Sequence, residues 1–175
     1  LAGNPNTGKS TLFNALTGLK QHTGNWSGKT VGRAEGRFLL GGKEAVLVDL
    51  PGIYSLFSAG AEEACARDFL AFGDADAVAV VVDASALERH LPLALQAMEV
   101  MPRCVLCLNL ADEAEKKGIQ IDDKKLSALT GVPVVKTAAR TGRGLSDLTA
   151  ALEKVMEQEP HVRHTPFHKA LPADF

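Results

Sequence analysis

Residues 3–10 of the chain, GNPNTGKS, match the phosphate-binding pattern G-x-x-x-x-G-K-[ST] in full. In this pattern successive backbone N–H groups curl around phosphate oxygens, and glycine stands where a side chain would collide with them. Lys9 places a positive charge beside the β- and γ-phosphates, and the Ser10 hydroxyl is a ligand for Mg²⁺. The motif therefore predicts a nucleotide-binding loop that leads into a helix. Its further contact residues are Asn4, Asn6, Thr7, Gly8 and Thr11.

A second motif, VDLPGIYSL at residues 48–56, has the pattern of a phosphate-sensing turn. We expect Asp49 to hold Mg²⁺ through water and the Gly52 N–H group to detect the γ-phosphate. Thr30, in the segment NWSGKT at residues 25–30, should reach Mg²⁺ and the γ-phosphate when a triphosphate is bound. We call residues 25–30 the first switch and residues 48–56 the second switch, because both should relax when the γ-phosphate is lost. Lys9, Thr30 and Gly52 are therefore candidate catalytic residues.

Ile53 stands directly after Gly52, where many nucleotide hydrolases carry a glutamine that orients the attacking water. Its side chain has no polar atom, so it can neither orient water nor neutralise charge. We predict that Ile53 packs as a hydrophobic residue in the second switch. Catalytic assistance must then come from another group, and the group that places the attacking water stays open.

The base is read by a third motif, NLAD at residues 109–112, which has the pattern N-x-x-D at the end of an apolar run. The Asp112 carboxylate can accept hydrogen bonds from the N1–H and exocyclic amine groups of guanine, whereas adenine would leave the charge unpaired. Backbone amides at Ala138 and Ala139 lie where they could meet the guanine O6 atom. Either Asn109 or Asp112 alone could instead be a helix cap. Asn109 and Asp112 follow the phosphate loop and DLPG in the order typical of GTPases. This order predicts GTP rather than ATP, with Asn109 as a nucleotide contact.

Five short runs rich in valine and leucine predict strands at 37–40, 45–50, 77–85, 103–110 and 132–138. Helical spacing between them predicts three amphipathic helices. Their apolar stripes are Leu12, Leu16 and Leu19; Leu87, Leu91, Leu95 and Met98; and Leu145, Leu148, Leu152 and Val155. Gly41 and Gly42 predict a tight antiparallel hairpin at a sheet edge. We therefore predict an α/β P-loop fold with a mostly parallel six-stranded sheet, one antiparallel edge hairpin and helices on both faces.

The 175 residues suit one globular domain, with 46% hydrophobic residues and a formal net charge of −2 that gives no reason to expect a nucleic acid partner. The longest apolar run, residues 77–82, is too short to span a bilayer. Only Leu1 and Ala2 precede the phosphate loop, so we expect most of the first strand to be missing and the sequence to begin inside a longer protein. Residues 1–158 are the predicted nucleotide-binding domain, and residues 159–175 a linker or the start of a following domain.

Cysteine and histidine residues could suggest metal sites. Cys104 and Cys107 form a CxxC pair, but an offset of three puts their side chains on opposite faces of a strand, so two core thiols are the expected outcome. His161, His164 and His168 lie in the proline-rich tail without a cysteine or acidic cluster, which favours a solvated tail over a metal site.

The order of GNPNTGKS, GKT, DLPG, NLAD and TAAR resembles that of the translation-factor-like branch of small GTPases. More specifically, GNPNTGKSTLFNALTG, GNWSGKTVGRAEG, DLPGIYSL and VVDASALERHL are similar to the cytosolic G domain of the ferrous iron transport protein B family, over about residues 1–158. Two residues depart from the family pattern. Ala138 stands where serine is usual, and Leu110 where methionine is common.

The resemblance implies a GTP-binding and GTP-hydrolysing G domain, with guanine nucleotide and Mg²⁺ as its ligands. It implies a following helical domain and a membrane permease for Fe²⁺ in the same protein, at the cytoplasmic face of the bacterial inner membrane. It also implies that Asn6 is a fourth candidate catalytic residue, because related GTPases with this asparagine bind K⁺ between it, first-switch carbonyls and phosphate oxygens. The alternative is that Asn6 only stabilises the loop turn.

Two other functions stay open from the sequence. A ribosome- or RNA-associated GTPase would need a basic RNA-binding module, and no basic run is present in this chain. A nucleotide sensor without hydrolysis is conceivable because the glutamine is missing. A homo-oligomer is compatible with the sequence but is not indicated by it.

Overall fold

Runs of valine and leucine form the buried strands of an α/β fold in the computed structural model, which describes residues 1–19 and 21–158. The strands are β1 (Ala2–Gly3), β2 (Gln21–Asn25), β3 (Gly32–Leu40), β4 (Lys43–Asp49), β5 (Val78–Asp83), β6 (Cys104–Asn109) and β7 (Val134–Lys136). The α-helices are α1 (Lys9–Thr17), α2 (Ala61–Phe72), α3 (Leu87–Val100), α4 (Ala111–Lys116), α5 (Asp123–Thr130) and α6 (Leu145–Glu157). The histidine-rich tail and the linker predicted at 159–175 lie outside the described residues.

The strands form a parallel sheet in the order β1-β5-β6-β7 and an antiparallel sheet in the order β2-β3-β4. The predicted fold class is confirmed, but the strands are divided into two sheets of four and three rather than joined in one sheet of six. The division occurs because β1 has only two residues, so that β4 meets it only around Leu1. There the Leu1 amino group donates to Val48 O at 2.5 Å, and Leu50 N–H donates to Leu1 O at 3.0 Å.

The hairpin predicted at Gly41 and Gly42 joins β3 to β4. Both glycines have positive φ, +55° and +77°, which a two-residue hairpin turn of this hand requires. All five predicted strands are present, whereas β2 was missed. Its sequence, QHTGN, is polar and has no alternation that could mark it as a strand.

The core consists of two clusters on opposite faces of the parallel sheet. Val78, Val80 and Val82 of β5 lie in one cluster with α2 and α3, while Ala79 and Val81 lie in the other with α1 and α6. This alternation along one strand explains why the strand runs are continuously apolar, since helices cover both faces.

Cys104 and Cys107 lie in different clusters, one on each face, which confirms that they are core thiols. Burial raises the pKa of the Cys107 thiol to about 12. Within the described residues, 1–19 and 21–158, there is no group of three or more histidine, cysteine or acidic side chains that could hold a metal ion.

Two helical stripes differ from the prediction. α1 ends at Thr17 with Gly18 as its cap, so Leu19 lies beyond the helix and is 70% exposed. In α3 the buried residues are His90, Leu93, Ala94 and Ala97, while the predicted leucine stripe is only half-buried. Leu93, Ala94 and Ala97 lie in the core, and Leu87 and Met98 of the predicted stripe pack against it as partly buried residues. The stripe on α6 is confirmed, since Leu148, Leu152 and Val155 are buried. No helix in the described part of the chain is long and apolar enough to cross a membrane.

Candidate nucleotide site

The phosphate loop connects β1 to α1, at the carboxyl end of the parallel sheet. Gly8 forms the N-cap of α1 with φ +77°, and a Cβ added there would lie 2.5 Å from Asn109 Nδ2. A Cβ added at Gly3 would lie 2.4 Å from Val81 O. Glycine is therefore required at both ends of the loop by its close packing against β5 and β6 as well as by the room that a phosphate needs.

Three predicted residues meet directly below the loop. The Lys9 ammonium lies 2.5 Å from Asp49 Oδ1 and 2.5 Å from Leu50 O, and Lys9 is only 8% exposed. The Ser10 hydroxyl donates to Asp49 Oδ2 at 3.4 Å. Hydroxyl and carboxylate oxygens close together suit a hard divalent cation such as Mg²⁺. Lys9 and Asp49 form a largely buried ion pair, with side chains 9% and 11% exposed.

The second switch packs against the phosphate loop. A Cβ added at Gly52 would lie 3.2 Å from the Pro5 backbone, and the Ile53 N–H group donates to Gly3 O at 3.2 Å. The Ile53 side chain is 2% exposed and belongs to the α2–α3 side of the core. Its predicted packing role is therefore confirmed. Gly52 is held beside the loop that is expected to bind phosphate.

The first switch lies against α2. Trp26 is 9% exposed, its ring packs edge-on against Phe69 with centroids 5.2 Å apart, and the Arg33 guanidinium lies 4.7 Å above it. The Lys29 ammonium contacts Asp68 at 3.3 Å. Thr30 is exposed, and no hydrogen bond joins it to Ser10 or Asp49 among the described residues. Its role as a ligand thus stays a prediction for a different state of the switch.

Asn6 occupies an exposed position on the phosphate loop. Its φ angle is +64°, a left-handed conformation that asparagine tolerates better than most residues. Within the described part of the chain its side chain makes no hydrogen bond. The positive φ is compatible with the alternative role of Asn6 in stabilising the loop turn. An exposed amide oxygen beside the phosphate loop is compatible with a monovalent cation. Thr11 is also exposed, in the first turn of α1.

Asn109 joins two loops and is fully buried. Its Nδ2 group donates to Thr7 O at 2.9 Å, while its Oδ1 atom accepts from Thr137 Oγ1 at 3.0 Å and from Ala139 N at 3.2 Å. Asn109 therefore positions the phosphate loop relative to the 137–139 loop. The Ala139 amide expected near guanine O6 has a protein partner here, and the Ala138 amide donates to Arg143 O at 3.0 Å.

Asp112 lies in the first turn of α4, where its side chain is 22% exposed. The Arg140 guanidinium lies 3.6 Å from this carboxylate and 3.8 Å from that of Glu113. Arg143 makes two further contacts with Glu115, and its hydrogen bond holds the pKa of Glu115 below the ordinary value. Two arginines of the loop after β7 therefore clamp that loop onto α4. Arg140 ends the TAAR motif, whereas no sequence pattern pointed to Arg143.

A phosphate loop between strand and helix, a Lys9–Asp49–Ser10 cluster and an N-x-x-D segment bonded to the phosphate loop together define the G domain of a P-loop GTPase. The family model for ferrous iron transport protein B matches residues 1–152. The chain belongs to this family.

Individual relatives agree with this assignment. The Fe(2+) transporter FeoB of Escherichia coli strain K12 is 45% identical over 163 residues, which are 91% of this chain and 21% of that protein. The chain thus spans about a fifth of the length of the curated relatives that it matches.

Solved structures of FeoB cytosolic domains are also similar to this chain. The cytosolic domain of the T. maritima FeoB iron transporter in its GMPPNP form has a TM-score of 0.90 at 41% identity, covering 95% of this chain and 66% of that one. GDP form II of the same domain has a TM-score of 0.89 at 41% identity, covering 95% and 65%.

Proposed function

We propose that this domain binds and hydrolyses GTP, and that its nucleotide state regulates the passage of iron(II) through a membrane permease in the same protein. The permease and an intervening helical domain would follow this chain, at the cytoplasmic face of the bacterial inner membrane. The observation that carries the proposal is the convergence of Lys9, Ser10 and Asp49 under the phosphate loop. The T. maritima relative, with GDP and GMPPNP forms, supports guanine nucleotide as the ligand.

Binding of the triphosphate begins with an exchange of partners at Lys9. Its ammonium leaves Asp49 and Leu50 O for the β- and γ-phosphates, while the N–H groups of the loop and of the first turn of α1 bind the remaining oxygens. When Lys9 leaves, the Asp49 carboxylate keeps the Ser10 hydroxyl as a partner, and both oxygen groups become available to a cation. The Gly52 N–H group, held beside Pro5, is then presented to the γ-phosphate.

Ser10, Thr30 and Asp49 would hold Mg²⁺, and Asn6 would hold K⁺, both of which supply positive charge beside the phosphates when bound. The protein's own part is to bring these oxygens together and to keep a hydrocarbon side chain, Ile53, turned into the core. Guanine is recognised by the Asp112 carboxylate, from which Arg140 must move aside.

Hydrolysis is tested by measuring phosphate release from GTP with Mg²⁺ present, in KCl and in NaCl at equal ionic strength. We expect turnover in both salts and a rate at least about tenfold higher in KCl, equivalent to about 1.4 kcal/mol of barrier. Asn6→Ala should remove the difference between the salts while leaving GDP affinity within about threefold of the unsubstituted protein.

The matched variant Asn6→Asp keeps a side-chain oxygen and should retain part of the potassium effect. No phosphate release in either salt would overturn the proposed hydrolysis. Equal rates in the two salts, or a full potassium effect in Asn6→Ala, would overturn the assignment of K⁺ alone.

A further inference from the structure

The loop between β4 and α2 is tied to α3 by a single side chain. Gln96 Oε1 accepts a hydrogen bond from the Leu56 N–H group at 2.8 Å and a second from the Ser55 hydroxyl at 3.2 Å. Ser55 Oγ in turn accepts from the Phe57 N–H group at 3.2 Å. One amide oxygen on α3 therefore organises three consecutive residues of a segment that has no helix or strand of its own.

The same segment is held from the opposite side by α2. Arg67 donates to Leu56 O at 3.2 Å, so side chains from two helices bind both backbone polar groups of Leu56. The Leu56 side chain is fully buried in the core. Three residues earlier, Ile53 is buried and its N–H group is bonded to Gly3 O at 3.2 Å. The second switch thus has a fixed end at Leu56 and a contact with the phosphate loop at Ile53.

Gly52 lies next to Ile53, where its N–H group is expected to meet the γ-phosphate. A loop residue can stay within a fraction of an ångström of a productive position only if the segment that carries it is held by packing and hydrogen bonds. The need is greater in this chain because Ile53 offers no polar side chain that could compensate for a misplaced backbone. A fixed end at Leu56 restricts the conformations that are open to the turn through Gly52.

We propose that Gln96 is a positioning residue for GTP hydrolysis, which holds Ser55 and Leu56 so that the Gly52 N–H group faces the γ-phosphate. The role rests on the proposed hydrolysis. This role predicts that a substitution of Gln96 slows GTP hydrolysis. The affinity for GDP should not change, because GDP has no γ-phosphate for Gly52 to contact. If Gln96 contributed only to stability, its substitution would instead weaken the binding of both GTP and GDP and lower the stability of the fold.

The test compares Gln96→Leu, which removes the acceptor, with Gln96→Glu, which keeps an oxygen for both donors. Single-turnover GTP hydrolysis, steady-state kcat and KM, the Kd for GDP and the thermal midpoint are measured for each. We expect Gln96→Leu to lower kcat about tenfold while the Kd for GDP stays within about twofold, and Gln96→Glu to stay within about threefold of the unsubstituted kcat. Ser55→Ala should give a smaller loss of kcat.

Gln96→Leu and Ser55→Ala can also be combined in a double-mutant cycle. Because one of the two Ser55 bonds depends on Gln96, Ser55→Ala combined with Gln96→Leu should lower kcat by less than the product of the two single losses. Should Gln96→Leu not fold, Ser55→Ala by itself must still lower kcat at unchanged GDP affinity.

Three results would overturn the role of Gln96. They are an unchanged kcat in Gln96→Leu, a loss of GDP affinity equal to the loss of kcat, or Gln96→Glu being as slow as Gln96→Leu. In each of these cases the unsubstituted protein still turns over GTP, so the proposed hydrolysis stands. An unsubstituted protein that releases no phosphate would overturn the hydrolysis, and the role of Gln96 with it.

Discussion

Asp112 is the residue proposed to select guanine, and in this structure a protein cation lies beside its carboxylate. Arg140 lies 3.6 Å from the carboxylate but is 73% exposed at its side chain, so the pair contributes at most about 1 kcal/mol. Guanine offers Asp112 two hydrogen bonds from its own edge, and bonds to a charged group are worth about 1.5–3 kcal/mol. Guanine binding at Asp112 would therefore displace Arg140.

We predict that Asp112→Asn changes the base preference from guanine to xanthine. An amide can donate to the carbonyl group that xanthine has in place of the exocyclic amine, whereas it loses one charged acceptor for guanine. The Kd for GTP should rise roughly 10- to 150-fold, which corresponds to about 1.5–3 kcal/mol. The Kd for xanthosine triphosphate should fall. Titration with a fluorescent analogue of each nucleotide measures both values.

Glu113→Gln is the matched control for Asp112→Asn, because it also removes one negative charge near Arg140. It should leave the preference for GTP unchanged. Equal affinity for GTP in Asp112→Asn and the unsubstituted protein would contradict the assignment of Asp112 to the base.

At the scale of elements, the first switch packs against α2 through few contacts. Trp26 and Arg33 pack there, yet Trp26 Nε1 and Arg33 Nε are buried without a hydrogen-bond partner among the described residues. An unpaired buried donor costs about 1–3 kcal/mol, which offsets much of what the aromatic contact with Phe69 contributes. The unpaired donors therefore weaken the docking of the first switch on α2.

We predict that the fluorescence of Trp26, the only tryptophan in the chain, reports movement of the first switch away from α2. With GDP the ring should stay against Phe69. With Mg²⁺ and a non-hydrolysable GTP analogue it should become exposed, and its emission should shift to longer wavelength. Thr30→Ala removes the group that draws the switch toward the nucleotide, so its spectra with the two nucleotides should coincide. Identical spectra in the unsubstituted protein would argue against movement of the first switch.

Sequence patterns predicted the elements that local chemistry determines. The phosphate loop, the hairpin at Gly41 and Gly42 and the valine-rich β5 follow from glycine geometry and burial, and all three are present. The brace at Asn109 could not be predicted, because its partners Thr7 and Thr137 are distant in sequence and nothing in N-x-x-D distinguishes a contact to guanine from a contact to a loop. Gln96 was missed for the same reason, since its partners Ser55 and Leu56 lie on another element.

At the scale of the whole molecule, α3 is bonded both to the second switch and to the end of β5. Gln96 near its C-terminal end binds the second switch, while His90 in its second turn faces the end of β5. The His90 Nδ1 atom accepts a hydrogen bond from the Asp83 N–H group at 3.2 Å, and His90 is only 6% exposed. Burial lowers the pKa of His90 from its ordinary value of 6.5, with the Asp83 carboxylate opposing the shift and Arg89 adding to it.

This lowered pKa makes the stability of the fold depend on pH. The unfolded chain takes up a proton near pH 6.5, whereas folded His90 resists it, so the unfolded state binds more protons below that value. The stabilisation from neutral His90 is complete above about pH 6.5 and is lost as the pH falls toward the folded pKa. We predict that the thermal midpoint decreases between pH 6.5 and pH 5, as measured by differential scanning calorimetry in buffers of equal ionic strength.

His90→Gln separates this effect from the titration of carboxylates. A glutamine oxygen can still accept the Asp83 N–H bond but does not titrate, so the variant should lose less stability on acidification than the unsubstituted protein. If His90→Gln and the unsubstituted protein follow the same pH curve, the neutral histidine against Asp83 contributes nothing to the acid sensitivity of the fold, and the loss of stability must come from the acidic side chains.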